Sequence, residues 1–269
     1  MPELPEVEAA AQRLREAVLG QTIASVTVTH PALRRALPAA GQRALLGARL
    51  TRIDRRAKIQ LLHLSDGAVL EVHFRMTGDW DIGVANDPAP AHERARIVTE
   101  TGIRVSFTDS RALGIIRRHA PGTFTEPDVG PEPLTDAFTV EGFLATLARR
   151  SAPIKPVLLD QHVVAGVGNI YASEALWEAR IHPATPARQL SKARVTRLRD
   201  AIRHVLSNAP AARYYGATPT ASDDHTSDAE TMWQVYDREG APCTRCGRAI
   251  VRSVQAARST YHCPRCQRT

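Results

Sequence analysis

The sequence predicts an α+β chain of more than one domain: an antiparallel β unit entered through a single helix, a helical unit, and a small C-terminal metal finger. Three observations predict it. Helical apolar spacing at the start gives way to short β-branched runs, a Pro/Gly-rich stretch at 120–136 is followed by helical spacing again, and all four cysteines lie beyond residue 242. A chain of 269 residues that is 43% hydrophobic has the length of roughly two domains and enough apolar side chains for a core in each.

Val7, Ala11, Leu14 and Val18 share one helical face, and Gly20 ends the helix. Runs at 22–29, 48–53, 59–64, 69–74, 96–99, 103–107 and 113–116 alternate in polarity. With the turn Ser65-Asp66-Gly67 they read as antiparallel strands of a sandwich or flattened barrel. The stretch 121–136 reads as a linker between a first domain at 1–120 and a helical domain at 137–235. Helices are expected at 137–149, 154–160, 170–177 and 191–206, with Val195, Leu198, Ile202 and Val205 facing inward on the last. Residues 208–230 have no period and are expected as a mobile loop, and 236–269 forms the finger.

Composition narrows the function. No apolar run approaches the 18 residues of a spanning helix, and Glu3, Glu6 and Glu8 rule out a signal-peptide core, so a cytoplasmic protein without a membrane partner is expected. The net charge is +7, and residues 241–269 hold six arginines and no acid. A cationic end of that kind favours a polyanion over a small neutral substrate. Only Lys58, Lys155 and Lys192 supply side-chain amines.

Three constellations carry chemistry. C-T-R-C at Cys243 and Cys246, with C-P-R-C at Cys263 and Cys266, matches one four-thiolate zinc site, with disulfides or redox use as the alternative. Four thiolates close a tetrahedral shell, so the zinc is structural. The basic hairpin between the knuckles can lay Arg248, Arg252 or Arg258 along phosphates, or be a solvated surface. Gly166 and Gly168 precede a new helix at Ile170; exposed N–H groups and Asn169 there suit a phosphate, as in helix-turn-helix proteins, or simply let two helices pack closely. At the start, Met followed by Pro is a context in which Met is removed, leaving Pro2 as a secondary amine with a reference pKa near 8. Such an amine attacks aldehyde-like carbons. The plain reading makes Pro2 a helix starter, Glu3 and Glu6 capping charges, and Lys58 a surface strand residue.

Taken together these segments resemble the bacterial formamidopyrimidine-DNA glycosylases. The matching stretches are P-E-L-P-E-V-E at 2–8, R-R-A-K at 55–58, G-P-E-P-L at 130–134, I-K-P at 154–156, V-G-N-I-Y-A-S-E at 167–174, I-H-P at 181–183, Q-V-Y at 234–236, and the finger. The resemblance implies a β-sandwich, a helix-two-turn-helix domain and a zinc finger acting, as a monomer, on double-stranded DNA containing a damaged base. It implies a bifunctional glycosylase and AP lyase that flips the damaged nucleotide out of the duplex. Pro2 would be the nucleophile at C1′, Glu3 its proton-transfer partner, and Lys58 and Arg258 cations of the catalytic set. Asn169, His73, Lys155 and Tyr236 would join Arg258 in binding DNA, and Met76, Arg111 and Leu113 would fill the vacated stack, with Leu113 where the family usually has an aromatic ring. The same chemistry on oxidised pyrimidines or abasic sites, and a damaged-DNA-binding paralogue without catalysis, are open alternatives at this stage.

Overall fold

A computed structural model describes residues 1–209 and 233–268. They pack as two compact units, Met1–Pro127 and Asp128–Thr269.

The first unit starts with α1 (Leu4–Val18), which buries Val7, Ala10, Ala11, Leu14 and Val18 along one stripe. Its C-cap Leu19 is extended, and Gly20 turns away at φ 81°, a left-handed conformation that favours glycine. Next come β1 (Ile23–Val28) and two short helices that the sequence does not announce, α2 (Pro31–Ala36) and α3 (Ala39–Arg43). Between them these helices bury Leu33 alone, so neither carries an apolar period.

Seven strands complete the unit: β2 (Leu50–Arg56), β3 (Ile59–Leu64), β4 (Val69–His73), β5 (Gly78–Val84), β6 (Glu93–Thr99), β7 (Ile103–Asp109) and β8 (Ile115–His119). They form two four-stranded antiparallel sheets, ordered β1-β6-β7-β5 and β2-β3-β4-β8. A single core of side chains from α1 and both sheets lies between them, so the unit is a β-sandwich with a leading helix. Within that core Phe74, Trp80 and Phe107 pack with ring centroids 5.3 to 6.0 Å apart. Strand β5 escapes the sequence reading because Gly78, Asp79, Asp81 and Gly83 suppress its apolar pattern, although Trp80 is buried. Strand β8 begins at Ile115, so Leu113, expected inside a strand, stands in the loop before it and is 49% exposed.

The second unit holds α4 (Val140–Ala148), α5 (Ile154–Leu159), α6 (Asn169–Glu178) and α7 (Lys192–Ser207), then the hairpin β9 (Val251–Gln255) and β10 (Arg258–His262). Thr139 and Ser191 cap α4 and α7 by accepting from Gly142 and Arg194 N–H. The helices and the finger share a core: Trp177 of α6 packs with Val235, Cys243, Ile250, Tyr261 and Cys263. The second half of the stretch expected as a linker is held in this unit too. Gly130 N–H donates to Gln161 O at 2.8 Å, and a Cβ at Gly130 would come within 2.6 Å of the His162 carbonyl. The expected mobile loop lies, from residue 210 on, outside the described residues. Among the described residues no helix is long and apolar enough to cross a membrane.

Candidate active site and nucleic-acid interface

The start of the chain is held from three directions. Glu3 is the N-cap of α1 and forms a capping box with Glu6, in which Glu3 N–H donates to Glu6 Oε2 at 2.8 Å and the Glu3 carboxylate accepts from Glu6 N–H. Deeper in, Gln60 is fully buried; its Nε2 donates to Val7 O at 3.0 Å while its Oε1 accepts from the Trp80 indole at 2.6 Å. On the outer side, Glu8 accepts from Arg15 and Arg55, each at 2.8 Å. Burial pushes the Glu8 carboxyl upward, but these two guanidinium groups outweigh it and hold the group below the ordinary range. Pro2 and Glu3 are both buried against this frame. Sequence reasoning gave no role to Gln60, Glu8 or Arg55; a glutamine in an apolar strand run is the one signal that a buried amide was needed there.

Lys58 sits in the two-residue turn joining β2 to β3 and is 8% exposed, not a solvated strand residue. Ala57 before it adopts φ 52°, and Arg55 Nη1 fixes that turn by donating to Ala57 O at 3.0 Å. Across the sheet Ile59 pairs with His73, which brings Lys58 near the imidazole. Burial, then the charges of Arg75 and Lys58, lower the His73 pKa from 6.5 to about 4. His73 is therefore neutral at pH 7. Its Nδ1 accepts from Arg75 N–H at 2.9 Å, so the ring proton lies on Nε2, an uncharged donor. Met76 follows in the loop before β5, half-buried, and Arg111 and Leu113 are exposed in the loop between β7 and β8.

In the second unit Lys155, which the resemblance places among the DNA-binding residues, is enclosed by the protein. It is 1% exposed, and its Nζ donates to Asn169 Oδ1 at 2.6 Å, Ser259 O at 2.7 Å and Thr260 Oγ1 at 2.8 Å. An ammonium has three donors. All three are engaged inside the protein, so Lys155 positions other groups. Asn169 is the first residue of α6, and its Nδ2 donates to Ser259 O at 3.1 Å. Arg258 opens β10 after a turn in which Ala256 and Ala257 lie at φ 46° and 57°, and its side chain is exposed at the hairpin tip. Tyr236 packs edge-on against Tyr261 at 5.4 Å. Glu174, which no sequence argument singled out individually, is buried and accepts from the backbone N–H groups of Gln234, Val235 and Tyr236 at 2.8 to 2.9 Å.

The four cysteines fit zinc. Their sulfurs all lie within 4.8 Å of one another, Cys246 and Cys263 at 3.5 Å and Cys243 and Cys266 at 4.0 Å. A tetrahedral ion with Zn–S bonds of about 2.3 Å sets its sulfurs roughly 3.8 Å apart. No disulfide forms. Gly247, at φ 72°, closes the first knuckle by donating to Cys243 O at 2.8 Å, and the Trp177 indole donates to Cys243 Sγ at 3.5 Å. The site is a structural zinc centre, and Trp177 joins it to α6.

A β-sandwich entered through a single helix, followed by a helical unit that closes on a zinc-held basic hairpin, defines a class of protein: zinc-finger DNA-repair glycosylases. Family profiles for the formamidopyrimidine-DNA glycosylase N-terminal domain, its H2TH domain, and the zinc finger found in FPG and IleRS match residues 1–116, 129–218 and 240–269. The chain is 42% identical to the formamidopyrimidine-DNA glycosylase of Thermus thermophilus over 276 residues, spanning 99% of this chain and 98% of that protein. Its fold superposes on Lactococcus lactis Fpg in complex with abasic-site DNA with a TM-score of 0.88 at 30% identity, over 99% of this chain and all of that one. A second solved structure, MutM in complex with DNA containing carbocyclic 8-oxo-G, gives 0.87 at 31% identity over the full length of both chains. The chain belongs to the formamidopyrimidine-DNA glycosylase family.

Proposed function

We propose that Pro2 carries the family's chemistry in this protein, a bifunctional DNA glycosylase and AP lyase that excises oxidised purines from damaged double-stranded DNA. The observation that carries the reading is the anchored helix start. With Met1 removed, Pro2 would present its amine directly before Glu3, at a helix start that the capping box and Gln60 hold. Holding a nucleophile in place removes orientational entropy from the barrier.

The neutral amine attacks C1′, the bond from C1′ to the base breaks, and the departing base takes up the proton that the Pro2 nitrogen gives up. Glu3 delivers a proton to the opening sugar ring and serves the later transfers. The resulting iminium acidifies the C2′ protons, and β- then δ-elimination release the phosphates on both sides. Lys58, His73, Asn169 and Arg258 bind the backbone around the extruded nucleotide, Lys155 and Tyr236 support them, and Met76, Arg111 and Leu113 fill the space left in the stack. Arg111 faces the unpaired base and favours cytosine through its acceptors. This reading puts the enzyme in the bacterial cytoplasm, at the nucleoid when it acts.

Borohydride reduction during reaction on a duplex with 8-oxoguanine opposite cytosine tests the assignment. The expected result is one covalent adduct, mapped by peptide sequencing to Pro2 and suppressed when Met1 is retained. An adduct mapped to Lys58 would overturn it.

A further inference from the structure

The residues assigned to the stack lie on two loops, and one buried carboxylate joins those loops. Asp109 ends β7 and is 1% exposed. Its Oδ1 accepts from the Thr77 hydroxyl and, at 3.2 Å, from Arg111 N–H; its Oδ2 accepts from Gly114 N–H at 2.7 Å. The Thr77 oxygen also accepts from Arg111 N–H at 3.2 Å, closing a three-membered ring of contacts. Donors from residues 77, 111 and 114 thus converge on a single charged acceptor, the strong form of hydrogen bond.

The surrounding backbone fixes the carboxylate in turn. Asp109 N–H donates to His92 O at 3.0 Å, and Arg94 Nε donates to Asp109 O at 2.7 Å. Ala112 is left-handed at φ 53°, a strained conformation that the bonds on either side hold. Gly114 cannot be anything larger, because a Cβ there would meet the Phe107 ring at 2.5 Å. Both ends of the segment 110–114 are therefore pinned while the Arg111 and Leu113 side chains remain exposed. Thr77 extends the same hold to the neighbouring loop, since it directly follows Met76.

We propose that Asp109 is the positioning residue of the wedge: through Thr77 and the Arg111 and Gly114 amides it locks the two loops into one register, so that Met76, Arg111 and Leu113 enter the base stack as a unit. The proposal rests on the reading that those three side chains fill the stack. A wedge must displace paired and stacked bases, and a loop free to move would spend that interaction on its own ordering. Neutralising the carboxylate is enough to break the bracket. In Asp109→Asn the new NH2 group faces either Gly114 N–H or Arg111 N–H, and both are donors.

The test compares Asp109→Asn, Thr77→Val, Thr77→Ser and Arg111→Ala in single-turnover excision of 8-oxoguanine opposite cytosine and opposite adenine, with a single-stranded abasic oligonucleotide as the control for elimination. Thr77 is exposed, so its valine variant leaves the fold in place and decides the matter should Asp109→Asn fail to fold. The expected result is a fall of about 5-fold or more in the cytosine-to-adenine rate ratio for Thr77→Val and Asp109→Asn, the equivalent of one hydrogen bond. Recovery of the ratio in Thr77→Ser and little change in single-stranded elimination complete it. An unchanged ratio in Thr77→Val, while Arg111→Ala lowers it, overturns the bracket and leaves the wedge standing. No change in Arg111→Ala refutes the wedge itself, and the positioning role falls with it. Equal losses on duplex and single-stranded substrates would show that Asp109 and Thr77 only support the fold.

Discussion

Replacing Lys155 with methionine separates a residue that holds the interface from one that touches DNA. The side chain keeps its volume and loses its charge. Three acceptors are left behind: Asn169 Oδ1, Ser259 O and Thr260 Oγ1. Stranded buried acceptors cost about 1 to 3 kcal/mol each. Ser259 O keeps its bond from Asn169 Nδ2, and half-buried Asn169 can turn toward water, so the larger part of the penalty falls on Thr260, which is fully buried. Relief from the desolvated ammonium offsets part of it. A net destabilisation of the second unit by about 2 kcal/mol is expected. The functional effect comes through Asn169, whose charge-assisted bond to Lys155 is worth about 1.5 to 3 kcal/mol. A double-mutant cycle of Lys155→Met with Asn169→Ala, read as Kd for a duplex containing a stable abasic analogue, should give a coupling of at least about 1 kcal/mol. Lys155→Arg should lose affinity too, because the site that encloses a compact ammonium has no room for a planar guanidinium. Full affinity in Lys155→Arg together with additive losses in the cycle would show that Lys155 meets a phosphate directly.

Two further outcomes follow from the same geometry. Chelation, or Cys246→Ala, should unfold the hairpin that displays Arg258 and abolish tight DNA binding while the first unit keeps its unfolding transition, because structural zinc supplies roughly 10 to 16 kcal/mol of folding free energy. Full binding by zinc-free protein would refute this. His73, held near 4 against an ordinary 6.5, resists a proton that the unfolded chain accepts, so its contribution to stability is complete above pH 6.5 and drains away as pH falls toward 4. His73→Gln should flatten the acid side of the urea-midpoint profile by no more than roughly 3 kcal/mol, at 1.36 kcal/mol per pH unit, and identical profiles for both proteins would count against the assignment.

Much of this was legible in the sequence where chemistry demands a fixed spacing. Two C-x-x-C knuckles announce a tetrahedral site whatever surrounds them, and alternation exposed most strands because one face of each meets the core. Legibility failed where one residue does what another type usually does. The finger's hairpin was legible, but the place of its tip was not, because it turns on Ala256-Ala257, both left-handed, with no Gly or Asn to mark it. The resemblance gives Lys155 a place in DNA binding, but no local pattern reports that all three of its donors are taken up inside the protein. Gln60, Glu174 and Asp109 matter through partners 20 to 62 residues away, or across a loop, which no local pattern reports.

The enclosure of Lys155 and Lys58 also decides how the molecule answers to reagents. Of its three lysines, Lys155 is sealed and Lys58 is 8% exposed, while the Lys192 side chain is 67% exposed at the start of α7, 3.3 Å from Glu141. Amine-selective dyes, cross-linkers and surface chemistries therefore meet essentially one side chain, far along the sequence from the N-terminal amine. Among side chains a fluorophore or tether is directed to Lys192, with the N-terminal amine as the competing site and no engineered cysteine to compete with the thiolates of the zinc centre.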